Sequence, residues 1–269
     1  MRTEKVKISD GLAFGAGAIP NILASTILGA FLTIYLTDVV GISAALIGMV
    51  ILLLRITDGI SDFIMGYVID HTKSRWGKAR PWLLLGAVGV ALLLVLIFHV
   101  PANITMTGKI IYFVVTYFLL MTVFVTMSGV SMATMLPLVE SDRRKRNILG
   151  AAEMAGTMVG GILATTVTSV LLKQFGYTQA GYRNTMLIYA VVILITGTFS
   201  FMKLKERSEI QRDVNVEKPK QKMSVKDALI GLGKNKYFFF ATGAGMMVNL
   251  RNGIISGIGI YSVSFGRGL

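Results

Sequence analysis

The 269-residue sequence has no cysteine and only two histidines, His71 and His99, far apart in the chain. Disulfides and thiolate metal sites are therefore excluded, and no histidine cluster is available for a metal. Charge is scarce as well. Charged residues make up 15% of the chain and hydrophobic ones 54%, whereas a soluble domain carries about a quarter charged residues. There is no nucleophile–base pair and no phosphate-binding loop, so the sequence argues against an enzyme and implies no cofactor. The first apolar run is too long for a cleavable signal and lacks a small-residue cleavage site.

What is present is a series of long apolar runs, each near the roughly 20 residues that span a bilayer. They cover 11–35, 44–69, 82–100, 109–139, 148–172, 184–202 and 237–263. Continuous runs of this length read as helices, since a membrane barrel would show short alternating strands. The first run has Gly11 and Gly15 four apart, and the fifth has Gly156 and Gly160. Both are small-residue faces suited to close packing. Pro20 and Asn21 interrupt the first run, as a kink or as a broken helix lining a site. The chain divides into a transmembrane bundle (1–202), a polar linker (203–236) and a seventh span with its flanks (237–269).

Acidic residues are outnumbered, 14 to 27, for a net charge of +13. Nucleic acid is a natural partner for such an excess, but the basic residues sort by side. The lead, the loop after the second run, the loop after the fourth and the linker hold three, four, four and ten of them. The alternate loops hold only Lys109, Lys173 and Arg183. This asymmetry predicts a multi-pass cell-membrane protein with a cytoplasmic N-terminus, and it argues against nucleic acid as a partner. The basic face suits an anionic lipid bilayer.

The stretch from Arg55 to Trp82 carries the chemistry. Arg55, Asp58 and Asp62 lie in the second run at spacings that put all three on one helix face. Asp58 sits about 21 Å from Ala44 along that helix, well inside the hydrocarbon. Ionisable groups at that depth mark ion or substrate paths. The plainer alternative is an Arg55–Asp58 pair that only holds two helices together. Arg55 offsets one carboxylate, so one negative charge remains for a proton or a monovalent cation. In the seventh run Asn249 and Asn252 flank Arg251 and either face a site or bond a neighbouring helix. Glu153, near the start of the fifth run, either binds substrate or snorkels to a loop arginine.

Several separated motifs agree in order and spacing. TDVVGIS (37–43), Arg-x-x-Asp-x-x-x-Asp from Arg55 to Asp62, GYVIDHTKSRWGKAR (66–80), Pro81-Trp82, SDRRKR (141–146) and NGIISGIGIY (252–261) run through the whole chain. The sequence resembles the glycoside–pentoside–hexuronide:cation symporters of the major facilitator superfamily, whose best-known member is the melibiose permease. The resemblance implies an all-α integral membrane fold: a six-helix bundle of two inverted three-helix repeats plus one further helix, truncated from a twelve-helix fold. It also implies a secondary transporter that takes up a sugar or glycoside with Na+, Li+ or H+ by alternating access. A non-transporting remnant or scaffold, or the same fold carrying a non-sugar solute, is the alternative.

By the same resemblance Asp58, Asp62, Ser61 and Thr126 hold the cation. Asn21, Arg55, Glu153, Asn249 and Asn252 are expected on the substrate side, and Gly66, Asp70, Arg75, Gly77, Lys78 and Arg80 form the cytoplasmic gate. The family's sugar-binding carboxylates are replaced by Ile22 and Gly129, its arginine early in the fifth helix by Met154, and a tryptophan by Ala133. The cation half of the site is retained and the galactoside half is not.

Overall fold

Three of the long helices start at a side-chain cap in a short polar connection. Asp142 accepts hydrogen bonds from the backbone N–H of Arg144 (2.8 Å) and Lys145 (3.0 Å). The hydroxyls of Thr105 and Thr178 accept from Gly108 (3.2 Å) and Gly181 (3.3 Å). Such caps satisfy N–H groups that a helix leaves unpaired. The N–H of Lys145, then that of Arg144 and both basic charges, hold the Asp142 carboxyl below the usual carboxylate range.

The computed structural model describes residues 7–206 together with Phe240 and Met247. It contains six helices long and apolar enough to cross a membrane: α1 (Ile8–Leu32), α2 (Ala44–His71), α3 (Arg80–Ile97), α4 (Met106–Val139), α5 (Arg143–Phe175) and α6 (Gln179–Lys203). Each agrees in place with an apolar run, but the caps move some starts. Arg143 to Arg146, a loop by composition, form the first turn of α5 because Asp142 caps it. Thr178 likewise starts α6 before Arg183. Helix α1 runs unbroken through Pro20, whose ring is buried beside Gly197 of α6.

Five of the packing pairs follow one rule. Helix α1 packs on α5 as α4 packs on α2; α1 packs on α6 as α4 packs on α3; and α3 faces α6. Exchanging α1 with α4, α2 with α5 and α3 with α6 returns the same set. Three spans per repeat make the second repeat cross the bilayer in the opposite direction, which is an inverted repeat. The two small-residue faces meet each other: a Cβ on Gly156 would run into the backbone of Gly15, and a Cβ on Gly15 would come within 3.0 Å of the Ala152 carbonyl. With no side chains in the way, the two backbones approach closely.

Four stretches widen to π-helix: Leu28–Leu32 and Tyr35–Val40 continuing α1, Phe118–Val125 in α4 and Leu163–Val167 in α5. Such turns loosen the i→i−4 ladder and recur at functional sites. Here their carbonyls take side-chain donors: Tyr189 donates to Leu163 O at 2.7 Å, and three residues use the α4 segment in the same way.

At one end of the bundle Tyr35, Phe98 and Tyr182 join α1, α3 and α6. Phe98 stacks on Tyr182 with centroids 5.7 Å apart, and the Tyr35 hydroxyl accepts from Val100 N–H at 3.2 Å. The chain separates into two units, Met1–Gln211 and Arg212–Leu269, and in the second Phe240 and Met247 are helical. Most of the linker and the expected seventh span lie outside the described residues.

Candidate functional site

Helix α2 brings Arg55, Asp58 and Asp62 to one face, and that face meets α4. Arg55 Nη1 lies 3.9 Å from Asp58 Oδ2, an (i, i+3) ion pair; the arginine side chain is 62% exposed and the aspartate 30%. Pairing is therefore partial, because the guanidinium still sees the cavity. Asp58 Oδ1 accepts from the Thr122 hydroxyl at 3.3 Å, and that hydroxyl lies 3.3 Å from the hydroxyl of Thr57. Ser61 donates its hydroxyl to the Thr122 carbonyl, so its oxygen faces the α2–α4 seam.

A cavity of about 430 Å³ opens beside this seam. Asp58, Asp62 and Arg55 line it from α2, Asn21 and Ser25 from α1, and Thr126, Gly129 and Ala133 from α4. Asp62 faces this space and is exposed. Thr126 is buried beneath it and donates to the Met121 carbonyl at 3.4 Å, five residues back across the π-helical turn.

Asn21 closes the opposite wall. Its Nδ2 donates to the Val125 carbonyl at 3.4 Å, and its Oδ1 accepts from Ser25 at 3.3 Å. A Cβ on Gly129 would come within 2.6 Å of that Nδ2, so the bare backbone at Gly129 makes room for the amide. The π-helical segment of α4 therefore presents carbonyls to both sides: Thr122 O to α2 and Val125 O to α1.

Two carboxylates, one guanidinium and several hydroxyls leave a local charge of minus one among hard oxygen donors. That set suits a monovalent cation or a proton. Among the described residues no three or more His, Asp or Glu gather as for a polydentate metal centre.

The structure groups the expected residues unevenly. Asp58, Asp62, Thr126, Asn21 and Arg55 share the cavity. Glu153 is half-buried on α5, beside the close contact with α1, and does not line the cavity. Asn249 and Asn252 lie outside the described residues. At the α2–α3 connection, Gly66 has open space around its Cα, Asp70 is exposed, and the Arg75 guanidinium lies 5.2 Å over its neighbour's ring at Trp76. Gly77, Lys78 and Arg80 instead meet the end of α6 at Glu206. Two residues were missed from sequence, Thr122 and Glu206. Thr122 is one turn before Thr126, which is a signal of position; Glu206 sits in a charged run and carries no such signal.

Fold and site together define a multi-pass membrane bundle with a carboxylate-bearing seam beside a cavity of about 430 Å³. Residues 13–265 match the family model described as MFS/sugar transport protein. The inner membrane symporter YicJ of Escherichia coli (strain K12) is 31% identical over 212 residues, 78% of this chain and 45% of its own length. The isoprimeverose transporter of Lactiplantibacillus pentosus is 30% identical over 217 residues, 79% of this chain and 44% of its own length. The putative glycoside/cation symporter YagG of E. coli (strain K12) is 30% identical over 269 residues, 98% of this chain and 55% of its own length. The chain spans about half the length of the curated relatives it matches. It belongs to the MFS/sugar transport protein family, among the glycoside–pentoside–hexuronide:cation symporters. This is a family of transporters, not of enzymes.

Proposed function

We propose that the protein takes part in cation-coupled symport of a sugar or glycoside by alternating access, with Na+, Li+ or H+ as the coupling ion. The observation that carries this reading is the α2–α4 constellation: Asp58 and Asp62 line the same cavity as Asn21. One wall therefore offers anionic oxygens to a cation and the other an amide to a hydroxylated solute. Asp62 is the principal cation ligand, because Arg55 is one turn from Asp58 and two turns from Asp62. Thr126 supplies a hydroxyl beneath it, and Ser61 contributes through the Thr122 carbonyl. On the solute side, Asn21 and Arg55 face the cavity and bind the hydroxylated solute.

The protein works in the cell membrane, with its N-terminus, the α2–α3 and α4–α5 connections and the linker on the cytoplasmic face. The chain is organised as bundle 1–202, linker 203–236 and seventh span 237–269. The basic residues gathered on alternate connections support that orientation. A single cysteine at Thr105 or Thr178 should react with an impermeant reagent added outside; reaction only from the cytoplasm would reverse the topology.

The function is tested by solute counterflow in proteoliposomes made from the complete gene product, with a panel of mono- and disaccharide glycosides and with Na+, Li+ or a pH step. Exchange of at least one glycoside, stimulated by one of these ions, is the expected result. Exchange that ignores all three ions would refute coupling, and no exchange of any glycoside would refute the solute class.

A further inference from the structure

The amino end of α3 has no cap of its own. Ala79 stands at the cap position and has no side-chain acceptor to offer, yet the first N–H groups of a helix need partners. They find them 126 to 128 positions away. Glu206 Oε2 accepts from the backbone N–H of Lys78 at 2.7 Å, and Oε1 accepts from Ala79 at 2.8 Å and Arg80 at 3.2 Å. Both carboxylate oxygens are engaged, and a negative charge sits at the positive end of the helix dipole.

Gly77 makes the cradle possible. Its φ is +108°, a conformation that side-chain-bearing residues rarely adopt, and a Cβ there would overlap the Glu206 carboxylate.

The exchange runs in the other direction too. Arg80 donates from Nη2 (2.6 Å) and Nε (3.2 Å) to the carbonyl of Phe201 in the last turn of α6, and from Nη1 to Trp76 O at 3.3 Å. Its guanidinium lies 4.8 Å over the Phe201 ring, and Trp76 meets that ring edge-on at 5.8 Å. A cation from α3 thus caps the carboxyl end of α6, and an anion just past α6 caps the amino end of α3. Each helix end is completed by the other, with the sign its dipole favours.

We propose that Glu206 is a latch: a positioning residue that fastens the chain leaving α6 onto the α2–α3 connection. The latch also reaches α2. Trp82, two residues into the latched end of α3, donates its indole N–H to Thr72 Oγ1 at 2.8 Å, at the cap position that ends α2. Helix α2 carries Asp58 and Asp62 and packs chiefly on α4, so this contact ties its cytoplasmic end to α3 and α6. The latch does not depend on the cargo or on the coupling ion, and its test needs neither.

The first measurement uses the unmodified chain in detergent. Hydrogen exchange at the Lys78, Ala79 and Arg80 amides should be about 10-fold or more slower than at the neighbouring amides of residues 73–75, as expected for charge-assisted bonds. Equal rates would overturn the proposal. The second uses fluorescence. The chain has two tryptophans; Trp82→Phe, which gives up the Thr72 bond but none of the Glu206 contacts, is the common background, so Trp76 is the reporter in every variant. Glu206→Gln and Gly77→Ala should each shift Trp76 emission to the red and raise its quenching by acrylamide, with helix content unchanged. The double variant should go no further than either single one, because both remove the same contact. Glu206→Asp, which keeps the charge on a shorter arm, should fall between wild type and Gln. Unchanged emission in Glu206→Gln, additive effects in the double variant, or an Asp variant no better than Gln would each refute the latch.

Discussion

Removing the Asp58 charge should weaken cation binding at Asp62, and removing the Arg55 charge should strengthen it. The carboxylates are one helical turn apart, so a cation on Asp62 sits about 6 Å from Asp58. Unit charges at that distance interact by roughly 3 kcal/mol at an effective dielectric of about 20 and by roughly 0.7 kcal/mol in bulk water. The site lies between these limits, since the Asp58 side chain is 30% exposed to the cavity. Asp58→Asn should therefore raise the half-saturating Na+ or Li+ concentration by about 3-fold to about 100-fold. Arg55 is seven residues from Asp62, about 10 Å along the axis. The same limits give a change of about 2-fold to about 15-fold in the opposite direction for Arg55→Gln. The assay is ion-dependent tryptophan emission of the purified complete gene product, titrated with Na+ or Li+ at constant ionic strength. Long-range screening is then fixed, and only the local charge changes. If both substitutions shift the midpoint the same way, or Asp58→Asn leaves it unmoved, Asp62 is not the ligand that these charges surround. Asp62→Asn should abolish the response altogether.

Three further expectations follow from particular contacts. Thr122→Val keeps the shape but removes the hydroxyl that Asp58 accepts from; the ion midpoint should move while the melting temperature in detergent changes little, and an unmoved midpoint would remove Thr122 from the site. Tyr35→Phe leaves the buried Val100 N–H without its acceptor, which costs about 1–3 kcal/mol; a thermal unfolding midpoint equal to wild type would show that water replaces the hydroxyl. Asp142 contributes its cap as a carboxylate held below its ordinary range by the N–H of Lys145 and Arg144; that contribution is complete above the unfolded carboxylate pKa and is lost as pH falls through the lower folded value. The stability difference between wild type and Asp142→Asn should accordingly shrink on acidification, and a difference that grows would contradict the assignment.

The six helices were legible because a bilayer imposes a one-dimensional rule: about 20 consecutive apolar residues must cross it. The shared face of Arg55, Asp58 and Asp62 was legible for a similar reason, since helical periodicity acts within one segment. Helix starts were less so. The Arg143–Arg146 run looked like a loop by composition, and the Asp142 cap made it helix. Thr122 left only a mark of position, one turn before Thr126, because its partner Asp58 lies 64 residues away. Glu206 left none, its partners lying up to 128 residues away. The π-helical segment Phe118–Val125 has no compositional mark, yet it turns the Thr122 and Val125 carbonyls toward α2 and α1. Gly129 read as a lost side chain; in the fold it is the space that Asn21 occupies.

The sequence by itself determined that this is a membrane protein of long helices with a charged face inside one of them. Hydropathy, spacing and the sidedness of basic residues are properties of local stretches, and a bilayer reads them locally. Only the tertiary structure decided that α1 pairs with α5 through bare glycine backbones, that Thr122 joins the carboxylates, and that Glu206 completes a helix it does not belong to. Those contacts join residues remote in sequence, and they depend on the close approach of helices and on carbonyls freed by widened turns, which no single stretch encodes.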